Sequence, residues 1–143
     1  MTECNKVFLD TVIFIYLLED NKYFGESVAN FLEYCTTNSI SLTTSVITYH
    51  EFGIKPYKLG RNELITAFEE LCTELNISLQ EVTLPVANMA AKLRSKYRGL
   101  RGMDALQISA AIQSDCDKFM TNDRRLKQIN EIEVMLIKDW LHS

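Results

Sequence analysis

Residues 6–18 read KVFLDTVIFIYLL. Lys6 to Leu9 is a short apolar run that closes on Asp10, and the apolar residues then continue through 11–19. The first piece predicts a strand and the second a helix, with an acid at the joint. The same alternation continues outward. Val28, Phe31, Leu32 and Cys35 recur at helical spacing from Glu26 to Cys35, and Ile40–Thr43 reads as a second short strand. Ser45 suits the N-cap of a helix running through Glu51 to about Phe52, after which Gly53, Pro56 and Gly60 break the chain. Leu64, Phe68, Leu71 and Leu75 mark a further helix, and Ile77–Val82 a strand. Pro85 fits the first turn of a helix that continues through Leu93 to Tyr97. Gly99 and Gly102 mark a loop, and Asp104–Gln113 is apolar enough for a buried helix. Phe119–Thr121 predicts a strand, Arg124–Gln128 a helical turn and Glu133–Ile137 a last strand. Strands alternating with helices imply an α/β fold, a parallel sheet with helices on both faces. Ligands bind such sheets outside the carboxyl ends of the strands.

Length and composition agree with one domain over residues 1–143. Apolar residues make up 47% and charged residues 24%, which excludes a disordered chain and a disulfide scaffold. The net charge is −4 and the pI about 5.2, so a globally basic nucleic-acid binder is excluded, though a local basic patch is not. No apolar stretch approaches the ~20 residues of a membrane span. The opening MTECNKVFLD lacks the basic start and apolar block of a signal peptide. Cys4, Cys35, Cys72 and Cys116 form no CxxC or CxxH pair, so zinc is not expected and reduced cysteines in a cytoplasmic protein are.

Four carboxylates fall where the strand-end rule directs attention. Asp10 closes the first strand, Asp123 follows the strand 119–121, Glu51 lies on the helix after the second strand, and Asp104 opens the buried helix. Each alone has an ordinary reading, as a cap, a dipole partner or an exposed acid. Together they raise an electrostatic problem. Two carboxylates ~4 Å apart repel by roughly 4 kcal/mol at an effective dielectric near 20. Raised pKa values or bound hard divalent cations relieve that repulsion. An all-oxygen donor set suits magnesium or manganese rather than zinc. Magnesium completes its shell with water and substrate phosphates, which points to phosphodiester chemistry.

These stretches carry a resemblance. Val7-Phe8-Leu9-Asp10-Thr11, Ser45-Val46-Ile47-Thr48-Tyr49-His50-Glu51-Phe52, Gly102-Met103-Asp104-Ala105-Leu106-Gln107-Ile108 and Phe119-Met120-Thr121-Asn122-Asp123-Arg124-Arg125-Leu126 resemble, in order, the PIN domain. Within it they are most similar to the VapC-type toxin ribonucleases of toxin–antitoxin pairs. The resemblance implies a three-layer α/β/α sandwich with a parallel central sheet and a Mg2+- or Mn2+-dependent endoribonuclease. It also implies an RNA substrate, a homodimer and a cognate antitoxin. Carried across, Asp10, Glu51, Asp104 and Asp123 become the acidic site and the metal ligands, Asp10 and Asp104 directly. Thr121 and Asn122 match the turn before the last acid and support it. One position departs from the pattern, because Val12 stands where many relatives carry Asn or Ser.

The basic residues cluster near the same acids. Lys92, Arg94, Lys96, Arg98 and Arg101 precede Asp104 in an acid-free stretch, Lys55, Lys58 and Arg61 follow Glu51, and Arg124, Arg125 and Lys127 follow Asp123. Such a rim suits an RNA backbone, with Arg98, Arg101 and Arg124 as candidate contacts. The bland alternative is that lysines and arginines simply collect at helix ends and loops. His50, one residue before Glu51, points about 100° away and reads as packing or surface rather than a base. Trp140 is expected to anchor the last segment on the core, and His142 lies in the tail. The competing reading is a catalytically silent PIN-like RNA- or protein-binding module, supported by Val12. A phosphatase of the Asp-nucleophile type lacks its second Asp at position 12, a receiver domain lacks its acid cluster, and no GxxxxGK[ST] is present for a P-loop.

Overall fold

A computed structural model describes residues 4–140. The chain forms β1 (Lys6–Leu9), α1 (Thr11–Leu18), α2 (Gly25–Thr37), β2 (Ser41–Ser45), α3 (Val46–Lys58), α4 (Asn62–Glu74), β3 (Ser78–Gln80), α5 (Leu84–Lys96), α6 (Gly102–Gln113), β4 (Lys118–Thr121) and β5 (Glu133–Leu136). Two 3-10 turns, Arg124–Gln128 and Ile137–Asp139, complete it. The five strands pair in parallel in the order β3-β2-β1-β4-β5. The chain winds outward from β1 through β2 to β3, then returns to the other side of β1 for β4 and β5. The order therefore reverses between β1 and β4, and a crevice opens at their carboxyl ends.

Alternation along the strands builds two cores, one on each face. Val7, Leu9 and Met120 face a cluster with Ile13, Phe14, Val28 and Phe31 from α1 and α2. Phe8, Phe119 and Val134 face the opposite cluster with Leu93, Ala105 and Ile108 from α5 and α6. Phe8 and Phe119 stack across neighbouring strands, with centroids 5.2 Å apart and rings nearly parallel at 8°. Trp140 meets Phe31 and Tyr34 edge-on, as the expected core anchor. Cys35 and Cys72 are buried, and burial pushes their thiols up to about 12 and about 11. Among the described residues no helix is long and apolar enough to cross a membrane. His142 lies outside the described residues.

Several boundaries differ by a residue or two from the sequence expectation, β2 running Ser41–Ser45 rather than Ile40–Thr43, and three differ in ways with a physical reason. The helix expected to end near Phe52 continues through Gly53 and Pro56 to Lys58. Pro56 lies within the last turn, where it forfeits its own i→i−4 bond but only Tyr57 and Lys58 follow it in the helix, and it is buried. The strand expected over Ile77–Val82 is only Ser78–Gln80, because it is an edge strand paired to β2 alone. Gly102, expected in a loop, begins α6 and brings Asp104 into its first turn.

Gly25 sits at a close approach. A Cβ there would lie 3.1 Å from the carbonyl oxygen of Tyr16, tighter than ordinary contact, so a larger residue would push the start of α2 a few tenths of an ångström away from the end of α1. That contact sets Phe24 beside Tyr16, with ring centroids 4.9 Å apart.

Candidate active site

Asp10 leaves β1 at the reversal point and caps α1. Its Oδ1 accepts from the Thr11 backbone N–H at 2.8 Å, and its Oδ2 accepts from Thr121 Oγ1 at 2.7 Å. Its own N–H donates to Met120 O at 3.0 Å, which ties the acid to the end of β4. Burial, with the Asp104 and Glu51 charges added, pushes the Asp10 carboxyl up to about 6 against these hydrogen bonds.

Glu51 projects from the second turn of α3, and its Oε1 accepts from Thr11 Oγ1 at 2.6 Å. Beneath this pair lies a buried polar relay. Gln107 on α6 is 1% exposed, and its Nε2 donates to Thr48 Oγ1 at 2.7 Å and Thr11 Oγ1 at 3.4 Å. Ser45 Oγ donates to Gln107 Oε1 while accepting from the Ile47 N–H, so it both caps α3 and ties it to α6. Asp104, in the first turn of α6, is partly buried. Burial and the Asp123 and Glu51 charges raise its carboxyl above the usual range, while Arg101 and Arg125 work in the opposite sense.

Asp123 caps the turn after β4 and is held by Arg125. Its Oδ1 accepts from Arg125 Nε and the Arg125 N–H, both at 3.0 Å, and its Oδ2 from Arg125 Nη2 at 2.7 Å. This pairing holds its carboxyl below the ordinary value. Thr121 Oγ1 also accepts from the Asp123 N–H at 3.2 Å, so one hydroxyl links Asp10 to the Asp123 turn. Asn122 donates from Nδ2 to Tyr16 Oη at 3.0 Å and accepts at Oδ1 from the Lys138 N–H at 3.3 Å.

All four acids line one open cleft of about 540 Å3, together with Thr121, Asn122 and Arg124. Its α1 side is formed by Thr11, Val12, Ile15 and Tyr16. Of the other basic candidates, neither lines the cleft: Arg101, at the N-cap position of α6, is close enough to bias Asp104 and Asp123, whereas Arg98 is exposed in the turn after α5. Much of the basic rim is engaged elsewhere. Lys55 pairs with Glu19, Arg61 with Glu63 and Lys96 with Glu131, and Arg94 and Lys127 donate to backbone carbonyls. His50 is exposed on the outside of α3.

The sequence reading missed the second layer: the bond from Thr11 to Glu51, the Ser45–Thr48–Gln107 relay, the Arg125 clamp and Tyr16. A glutamine in an otherwise apolar helix was the available signal, since a buried amide must find partners.

The donor chemistry fits a hard divalent cation, being carboxylate and hydroxyl oxygen with no thiol or imidazole lining the cleft. Burial first, and the neighbouring carboxylates after it, disfavour the ionised forms of Asp10 and Asp104, a cost that a bound cation would offset. Even so, among the described residues no three His, Cys, Asp or Glu side chains stand close enough to form a ready ion cage. The acids line the cleft without closing around a point.

Comparison with solved structures agrees with this architecture. The chain is similar to the VapBC2 complex from Rickettsia felis bound to a fragment of its promoter DNA, with 19% identity, coverage of 92% of this chain and 98% of that one, and a TM-score of 0.76. It is similar to FitAcB from Neisseria gonorrhoeae at 20% identity over 94% and 99%, with a TM-score of 0.69. VapC20 of Mycobacterium tuberculosis, a sarcin–ricin loop cleaving toxin, matches at 12% identity over 79% and 86%, with a TM-score of 0.60. At these identities the likeness concerns the fold. A search of curated proteins found no match to the sequence. The PIN domain sequence model, however, matches residues 7–132 and so takes in all four acids, the reversal point and most of both cores; the chain belongs to the PIN domain family.

Proposed function

We propose that this protein is a magnesium- or manganese-dependent endoribonuclease and the toxin of a toxin–antitoxin pair. The observation that carries the reading is the convergence of Asp10, Glu51, Asp104 and Asp123, from four separate elements, on one open cleft at the sheet's reversal point. Asp10 and Asp104 would hold the cation directly, and Glu51 and Asp123 would complete its shell or orient water. Such an ion, when bound, activates water and stabilises the charge that develops on the leaving oxygen. The chain's own part is preparation. Thr11 and Thr121 fix the Asp10 carboxylate, and Thr11 also fixes Glu51. Arg124, on the cleft wall, and Arg101 beside it supply positive charge for the RNA backbone. The toxin assignment is supported by the same fold in VapC20 of Mycobacterium tuberculosis, a toxin, and it brings with it an antitoxin that covers the cleft and a homodimeric assembly.

The test uses partner-free protein, a panel of transfer, ribosomal and messenger RNAs, and magnesium, manganese or chelator. Cleavage at discrete positions that needs the metal and disappears in Asp104→Asn supports the reading. Absence of both cleavage and metal binding overturns it. That outcome favours a silent binding module, to which the Arg125 clamp on Asp123 and the apolar Val12 lend the second reading.

A further inference from the structure

We propose that the α1 side of the cleft is a nucleobase subsite, in which the Tyr16 ring stacks on a base of the RNA strand whose phosphate faces the acids. The proposal rests on the ribonuclease reading above and names what the cleft recognises besides phosphate. Val12, Ile15 and Tyr16 lie at i, i+3 and i+4, one stripe of α1, and all three line the cleft that holds the four acids. The opening thus has two chemistries, carboxylates gathered at the carboxyl edge of the sheet and an apolar, aromatic wall on α1. A sugar–phosphate backbone matches only the first, and that through a cation the carboxylates would hold. Its bases, flat and apolar on their faces, match the second.

The ring is fixed in advance. Phe24 stacks on one face of Tyr16, with centroids 4.9 Å apart, and does not itself line the cleft. Asn122 donates to the Tyr16 hydroxyl and is held in turn by the Lys138 N–H, which fixes the other end. Gly25 allows the close helix approach that places Phe24 there. An aromatic held at both ends loses little side-chain entropy when a base stacks on it. Val12 belongs to the same surface: a valine there continues the apolar wall where Asn or Ser would interrupt it. Asn122 joins the two halves of the cleft, because it neighbours Asp123 in sequence and touches Tyr16 in space.

The test compares binding of fluorescein-labelled hexanucleotides, A6, C6, U6 and a G-containing mixed sequence, with an abasic hexamer of the same backbone. It uses the full-length protein in calcium, with mass spectrometry confirming that the oligomers stay intact. At least one base-bearing hexamer is expected to bind about tenfold more tightly than the abasic one. Tyr16→Ala should abolish that preference, Tyr16→Phe should keep most of it, and base protons should shift upfield on binding the wild type. Tyr16→Leu, which keeps apolar bulk without a ring face, serves if the alanine variant is unfolded by circular dichroism. Equal binding of abasic and all base-bearing oligomers overturns the proposal, as does a preference that survives Tyr16→Ala and Tyr16→Leu. In either case metal-dependent cleavage lost in Asp104→Asn would still stand, so the subsite can fail without the nuclease reading. Failure of every oligomer to bind, with no cleavage of the RNA panel, overturns both and points to a protein as the occupant of the wall.

Discussion

Gln107 supports Thr11, the residue that holds Glu51. Its amide satisfies Thr48 and Thr11 on one side and Ser45 on the other, in a site closed to water. Gln107→Leu keeps the volume roughly constant but takes the acceptor from the Ser45 hydroxyl and the amide donor from Thr48 and Thr11, at a cost of about 1–3 kcal/mol. It should also loosen Thr11 and so weaken magnesium binding, which titration calorimetry on the folded variant would read. A variant that loses stability but binds magnesium as the wild type does would show that the relay only stabilises the fold. Asp10 gives a second prediction, about pH. Its folded value of about 6 stands above the ordinary 3.8, so the metal-free folded protein binds more protons than the unfolded chain between these values. This acid's contribution therefore favours folding at low pH, and it is lost as the pH rises toward 6. Asp10→Asn should then stabilise the metal-free protein by ~1–2 kcal/mol at pH 7 and by little near pH 3, measured as urea midpoints at both values. A gain that is equal at both pH values would refute the assignment. The four acids were legible in the sequence because carboxylates at strand ends and helix starts are conspicuous against apolar neighbours. Their partners were not, because a threonine beside an acid carries no sign of which carboxylate its hydroxyl will meet.

The helices show why element types were easier to read than element ends. Strong periodicity in α2, α4 and α5 marks their existence, whereas their stops are written in residues without a distinctive signature. Asp20, Ser39, Asn76 and Asp115 each adopt positive φ just past a helix, at 55°, 56°, 53° and 60°. In each case the next N–H reaches back to close the turn, as Asn21 to Tyr16 O, Ile40 to Cys35 O, Ile77 to Cys72 O and Cys116 to Ala111 O. These are left-handed helix stops of the kind usually built on glycine, which Gly60, after α3, provides in the expected form. The stop after α3 was therefore misread in the other direction, since Gly53 and Pro56 punctuate the sequence but not the helix. Ser39→Gly tests the point. The serine is exposed and its side chain only bears the strain, so glycine should raise stability by about 0.5–1 kcal/mol, the relief of left-handed strain less the added backbone entropy. Thermal unfolding should rise by roughly 2–4 °C. No change, or a fall, would mean that the serine makes compensating contacts at the turn.

At the scale of the whole molecule, the sheet order turns dispersed acids into one site. Two apolar clusters hold β1 and β4 from opposite faces, and every acid hangs from an element anchored in one of them. Because the carboxylates line the cleft without closing on a point, a cation would draw them inward and couple elements packed on both faces of the sheet. Metal binding should therefore register as global stability. Magnesium at a hundred times its Kd stabilises the folded state by about 2.7 kcal/mol. For a chain of this size that is on the order of 5–10 °C in thermal midpoint. The shift should grow with the logarithm of magnesium concentration at pH 7.5 and shrink at pH 5, where the raised Asp10 carboxyl must lose a proton before it can bind. Asp104→Asn should reduce it at both pH values, because α6 then contributes no charge to the cleft. Differential scanning fluorimetry across magnesium concentration and pH reads all three trends. A midpoint that ignores magnesium at pH 7.5 would deny the cleft a metal, while a shift equal at pH 5 and pH 7.5 would place the metal elsewhere than on Asp10.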